Sequence, residues 1–197
     1  KHPRNFAFLI LTRQSLRGNG ESFPTFIIAV IKNKEQRVGM FIDTQNLYHS
    51  AKHLYSARVN FAKVLEEALG GRTLVRAIAY VISTEAGDET AFFGALTKIG
   101  IETKVKDLQI FADGAKKADW DVGIAIDAIK LAPKLDTVVL ASGDGDFIPL
   151  IQYLDMHGIQ VEVISFGKSS SAKLKEAAHA FTDMCDEPRK FTITSRG

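Results

Sequence analysis

Val38-Gly39-Met40-Phe41-Ile42-Asp43-Thr44-Gln45-Asn46 and Thr137-Val138-Val139-Leu140-Ala141-Ser142-Gly143-Asp144-Gly145-Asp146-Phe147 share one pattern. In each, a short apolar run meets carboxylates, and a helix-like pattern follows. A continuous apolar run of this length, bounded by polar residues, reads as a strand buried on both faces. A carboxylate at the C-terminal tip of a parallel strand stands where open α/β sheets place their sites. If the two tips are neighbours, three carboxylates converge and repel one another. A hard divalent cation with oxygen ligands, Mg²⁺ or Mn²⁺, is the natural resolution.

The rest of the chain keeps the same alternation. Helical periodicity covers residues 46–55, 61–69, 88–99, 120–131, 146–156 and 171–181. Strand-like runs cover 73–82, 101–111 and 159–165. Gly70-Gly71, Gly100 and Gly158 close helices, and Pro133 marks the end of another. Strands alternating with helices predict βαβ units and a parallel sheet flanked by helices. Residues 1–37 stand apart: two β-rich runs, 6–12 and 26–31, are split by Arg17-Gly18-Asn19-Gly20, which reads as a hairpin-like appendage. The expected organisation is appendage 1–37, α/β domain 38–184 and a patternless tail 185–197.

Bulk properties narrow the partners. With 197 residues, 46% of them hydrophobic, the chain suits one compact α/β domain with small additions. Lys and Arg number 25 against 23 Asp and Glu, so nucleic-acid binding would have to rest on a local patch. The single cysteine, Cys185, rules out an internal disulfide framework. With no signal-like segment, it points to a reducing cytoplasm. No apolar run has spanning length, so no membrane partner is expected.

The individual residues carry two readings each. Asp43 is either a helix N-cap or a metal ligand, and Asn46 is a second capping candidate. Asp144 and Asp146 either shape a Gly/Asp turn and cap a helix or hold a cation. On a helical wheel of residues 120–134, Gly123, Asp127, Lys130 and Lys134 form a narrow polar stripe. Asp121 falls outside it and points toward packed structure, where its partner is its own helix N-terminus or a metal. Asp119 reads as the N-cap and Asp127 as part of a solvated face. Lys116 and Lys117 are either a solvated pair or a phosphate grip. Phe166-Gly167-Lys168-Ser169-Ser170-Ser171 is a polar connector or a phosphate cradle. His49 and His53 share a helix face without any zinc pattern. Dinucleotide, P-loop and hydrolase-elbow fingerprints are absent. An aspartyl-phosphate role for Asp43 wants an Asp two residues on, and Gln45 stands there.

Three stretches together resemble the NYN domain of the PIN-like nuclease superfamily, its LabA-like (DUF88) group above all. They are Phe41-Ile42-Asp43 through Asn46-Leu47, Asp121-Val122-Gly123-Ile124-Ala125-Ile126-Asp127-Ala128, and Ser142-Gly143-Asp144-Gly145-Asp146-Phe147-Ile148-Pro149-Leu150. The resemblance covers roughly residues 38–184. It implies a doubly wound parallel sheet of order 3-2-1-4-5 and Mg²⁺- or Mn²⁺-dependent cleavage of RNA phosphodiesters. It places metal and catalytic roles on Asp43, Asp121, Asp144 and Asp146, with Asn46 and Asp127 in a second tier. Substrate contact is expected from Lys116, Lys117, Lys168 and Ser142, with single-stranded RNA as partner. Many relatives carry a Lys three residues before Asp121, where this chain has Ala118, so lysine contact is shifted. The rival expectation is a non-catalytic RNA- or nucleotide-binding regulator, because fold alone does not establish activity.

Overall fold

The computed structural model describes residues 8–13, 27–83, 90–107, 109–110, 116–117 and 119–194. The expected turn at Arg17–Gly20 lies outside them. Strands β1 (Phe8–Arg13) and β2 (Ile27–Lys32) pair antiparallel as a separate two-stranded ladder, the hairpin-like appendage read from the sequence.

The first motif folds as β3 (Arg37–Asp43) running into α1 (Thr44–Tyr55). Then come β4 (Arg58–Val59), α2 (Phe61–Leu69), β5 (Thr73–Ser83), α3 (Thr90–Lys98) and β6 (Ile101–Asp107). Two short strands, β7 (Gln109–Ile110) and β8 (Lys116–Lys117), pair antiparallel ahead of α4 (Asp121–Leu131). The second motif is β9 (Thr137–Ala141) followed by α5 (Ile148–Met156). The chain continues through β10 (Gln160–Ser165), α6 (Ala172–Ala177), β11 (Ala180–Asp183), α7 (Pro188–Phe191) and β12 (Thr192–Ile193).

The central sheet has the order β11-β10-β9-β3-β5-β6, with every neighbouring pair parallel. Both faces are covered, as an all-parallel sheet requires. Successive residues of β3 point to opposite sides. Val38, Met40 and Ile42 join the core under α1 to α3, with Leu47, Val64 and Leu96. Phe41 joins the other core, under α4 to α6, with Ile124, Ile151 and Leu174. From β3 the chain builds outward through β5 to β6, then returns with β9 on the other side of β3. The switch point therefore lies between β3 and β9.

The order 3-2-1-4-5 is present, and β11 extends it as a sixth strand. This corrects the expected helix over 171–181. Helix α6 stops at Ala177 because Ala178 turns to extended backbone. Beyond it, Ala180–Asp183 satisfies its backbone on the open edge of β10, from Glu162↔Ala180 to Ser165↔Asp183. The expected patternless tail also carries structure: β12 pairs with β4, and Phe191 is buried in the α1–α3 core.

Candidate metal centre

Asp43 is the last residue of β3 and the N-cap of α1. One of its oxygens accepts the Asn46 N–H at 3.1 Å, so the capping reading holds. Because Ile42 sits opposite Ala141 in the ladder, the next residue of each strand emerges at the same edge. There the Ser142 hydroxyl donates to the other oxygen of Asp43 at 3.1 Å. That hydroxyl also accepts the Asp144 N–H at 3.2 Å. Ser142 is fully buried, and its hydroxyl spaces two carboxylates. Asn46 is not a cap. Its side-chain oxygen accepts the Gly143 N–H at 2.9 Å and ties the second motif to the first.

The Gly143–Asp146 loop is held from below. A Cβ on Gly143 would stand 2.6 Å from Ser170 Oγ and 3.0 Å from its Cα, so only glycine allows this approach. The Ser171 N–H donates to Gly143 carbonyl oxygen at 2.9 Å. In the 166–171 connector, Ser170 donates to the Phe166 carbonyl at 2.8 Å, and Ser171 Oγ caps α6 by accepting the Leu174 N–H at 3.4 Å. These bonds answer to the polar-connector reading rather than a phosphate cradle. Lys168 is exposed on it.

Asp144 caps the short turn that follows, accepting the Asp146 N–H at 3.0 Å. Across from it stands Asp121, the first residue of α4. One carboxylate oxygen from each of Asp121, Asp144 and Asp146 lies within 4.8 Å of the other two. Burial, then the charges of Asp144, Asp43, Asp119 and Asp146, push the Asp121 carboxyl up to about 6. Asp43 is also raised, chiefly by burial, although the Asn46 N–H and Ser142 hydroxyl oppose the rise and Asp144 adds to it. Asp43 is thus an electrostatic neighbour of the three rather than a member of the tightest group. The donor set is all hard oxygen, and its repulsion is what a divalent cation relieves. Mg²⁺ or Mn²⁺ fits it.

Two expectations on α4 change. Trp120, not Asp119, occupies the N-cap position, without a side-chain cap bond. Its indole N–H instead donates to the Val81 carbonyl at 2.9 Å. Asp127 is neither at the cluster nor on a solvated face. It accepts from Tyr80 Oη at 2.7 Å and Lys104 Nζ at 2.6 Å. Burial would raise its carboxyl, but these two donors hold it below the usual range. Six residues separate it from Asp121, and at about 100° each they turn it to another side of the helix. Tyr80, Lys104 and Trp120 escaped the sequence reading because their partners lie on other elements, where local patterns carry no signal. The side chains of Lys116 and Lys117 are outside the described residues.

A sequence model of the NYN domain matches residues 37–185, which contain Asp43 and the three clustered aspartates, Asp121, Asp144 and Asp146. The chain belongs to the NYN domain family. NYN domains are PIN-like nucleases by lineage, and the observed sheet agrees with that fold. The "Low amplitude and bright protein LabA" of Synechococcus elongatus is 26% identical over 164 residues, covering 78% of this chain and 86% of that protein. The crystal structure of a Vibrio parahaemolyticus protein of unknown function superposes with a TM-score of 0.74 at 30% identity. It covers 81% of this chain and 98% of that one. Against this NYN background, the β1–β2 ladder precedes the matched segment, while β11 falls inside it. Among the described residues no helix is long and apolar enough to cross a membrane.

Proposed function

We propose that this NYN domain is a metal-dependent ribonuclease that hydrolyses phosphodiester bonds of single-stranded RNA at the carboxylate cluster. One observation carries the reading: oxygens of Asp121, Asp144 and Asp146 approach within 4.8 Å of one another, at the sheet edge where β3 and β9 are neighbours. Asp121, Asp144 and Asp146 would hold Mg²⁺ or Mn²⁺, with Asp43 as the fourth carboxylate. Bound there, the cation supplies positive charge beside the reacting phosphate and lowers the pKa of water.

The chain's own groups set the geometry. The Ser142 hydroxyl and the Asn46 N–H fix the Asp43 oxygens. The Asn46 side chain fixes the Gly143 backbone, and through it the strand-to-turn path that aims Asp144 and Asp146. Lys168, exposed at the same edge of the sheet, offers a cation to the phosphate backbone, and Lys116 and Lys117 are the further candidates. Single strands suit a chain of net charge +2, because clamping a duplex draws on a strongly basic surface.

The test is cleavage of a mixed RNA pool by wild type and Asp43→Asn, purified identically, in Mn²⁺ with and without EDTA. The wild type should cut only with metal. Asp43→Asn should be slower by at least about 100-fold, the scale of losing one transition-state-stabilising group. Equal cleavage by both would trace the activity to a contaminant and overturn the proposal. Inactivity of the wild type across RNAs and metals would leave RNA binding without turnover.

A further inference from the structure

Several exposed apolar residues over the second core gather in one place. Val122 and Ile129 on α4 and Pro149 and Tyr153 on α5 face one another across an open groove of about 390 Å³. One end of that groove is formed by Asp121 and Asp146, two of the three clustered carboxylates. We infer that this groove is the subsite for one nucleobase of the RNA strand whose phosphate lies at the carboxylate cluster. The inference rests on the proposed function and adds where, and how, the strand is gripped.

Three features argue for a base. The first is continuity: whatever fills the groove abuts Asp121 and Asp146, and in a nucleotide a flat apolar ring hangs one sugar away from an anionic phosphate. The second is size, since the volume lies at the low end for small-molecule sites, about 300–1,000 Å³. A packed helix or a second domain would need a longer trough. The third is the ring of Tyr153. The residue is 37% exposed, and the His157 ring packs against the tyrosine ring at 4.2 Å between centroids, tilted by 31°. His157 is outside the groove lining. A ring backed by a second ring and lining an open groove suits a stacking platform.

The groove also says what kind of reading it performs. Apart from Asp121, Asp146 and the Tyr153 hydroxyl, its lining side chains carry no polar atoms. It can stack a base but has few groups with which to read a base edge. Any base should be accepted, whereas its absence should be felt.

The experiment uses fluorescein-labelled single-stranded RNAs of about eight nucleotides, a length within the usual single-strand footprint. Each RNA carries one abasic position, moved along the series. Binding is read by anisotropy with Ca²⁺ replacing Mn²⁺, so that the strand is held without turnover. Tyr153→Ala should weaken binding of the intact RNA between about 5- and 150-fold, the range for one lost base–aromatic stack. Tyr153→Phe, which keeps the ring, should stay within about twofold on the same scale. At one position of the series the abasic RNA should lose the same factor against wild type and nothing further against Tyr153→Ala. Exchanging the base at that position should matter little.

If Tyr153→Ala binds every RNA as wild type does, while Asp43-dependent cleavage persists, the subsite is wrong and the nuclease reading stands. If the wild type binds no RNA, both are overturned. Sedimentation of the wild type as a dimer that Val122→Asp dissociates would assign the groove to a second copy of the chain and overturn the inference.

Discussion

Glu162 lies on β10 with its side chain 6% exposed, facing the Arg72 guanidinium, itself 1% exposed. The pair is bidentate, at 2.7 and 2.9 Å. Arg72 also donates to the carbonyls of Ala68 and Leu69, at 2.6 and 2.9 Å. Lys32, from the hairpin, reaches the same carboxylate at 3.2 Å and ties the appendage to the domain. Burial alone would raise the Glu162 carboxyl, but Arg72 and Lys32 together hold it below its ordinary value of 4.5. A depressed folded value means the contribution is complete above that ordinary value and disappears as pH falls through the folded one. Glu162→Gln should therefore cost about 3–5 kcal/mol near neutrality, because it leaves a buried guanidinium without its counter-charge. Urea midpoints from pH 7 to pH 3 would show the wild type converging on the variant in acid. A constant gap over that range would refute the assignment. Nothing in the sequence flagged this pair, since its members are 90 residues apart and join only when β5 and β10 enter one sheet. The clustered aspartates, by contrast, were legible, because each follows a strand signal or opens a helix within a short motif.

Among the elements, α4 positions Asp121, and Trp120 positions α4. The indole is fixed by its bond to Val81 and by an edge contact with Tyr80, 5.3 Å between centroids. Lys106 Nζ lies 4.9 Å from its ring centroid. Gly123 provides the room: a Cβ there would stand 2.6 Å from Trp120 Cε3. Helix propensity alone favours Gly123→Ala by about 1 kcal/mol. The clash should win, because the ring has to leave a bonded and packed position, and we expect a net loss of about 1–3 kcal/mol. Trp120 is the only tryptophan in the chain, so its fluorescence reports the displacement directly. A variant more stable than wild type with an unchanged spectrum would show that the indole does not set the helix. Element by element, long periodic segments were legible and short competing ones were not. Residues 178–181 have the composition of a helix end, and only the open edge of β10 decides that the chain becomes a strand from Ala180 to Asp183. The wheel of α4 likewise separated Asp121 from Asp127 correctly but could not see Lys104 and Tyr80 waiting for the latter on β5 and β6.

At the scale of the whole molecule, the doubly wound sheet brings residues about a hundred positions apart in sequence to one edge, and that assembly carries an electrostatic cost. Burial first, and then the charges of four nearby carboxylates, raise Asp121 to about 6. The alternation of strand and helix made this architecture readable, since each buried run has one outcome in a parallel sheet; the added strand and the returning C-terminal segment were not, being settled by which edges remain open. The consequence is a linkage between metal and stability. A cation that binds only the assembled site stabilises the fold by about 2.7 kcal/mol at a free concentration of 100 Kd. For a chain of this size that corresponds to a rise in Tm of roughly 5–10 °C. Asp144→Asn removes one charge from the cluster and one of its ligands. Without metal the variant should melt at or above the wild-type temperature, because repulsion on Asp121 and Asp43 is relieved. With Mn²⁺ its response should shrink to less than about 2 °C, as expected when affinity falls so far that the site is little occupied. Calorimetry of both proteins across a Mn²⁺ titration separates the two effects. An equal metal-induced rise in Asp144→Asn would place the cation elsewhere on the molecule, and with it the proposed chemistry.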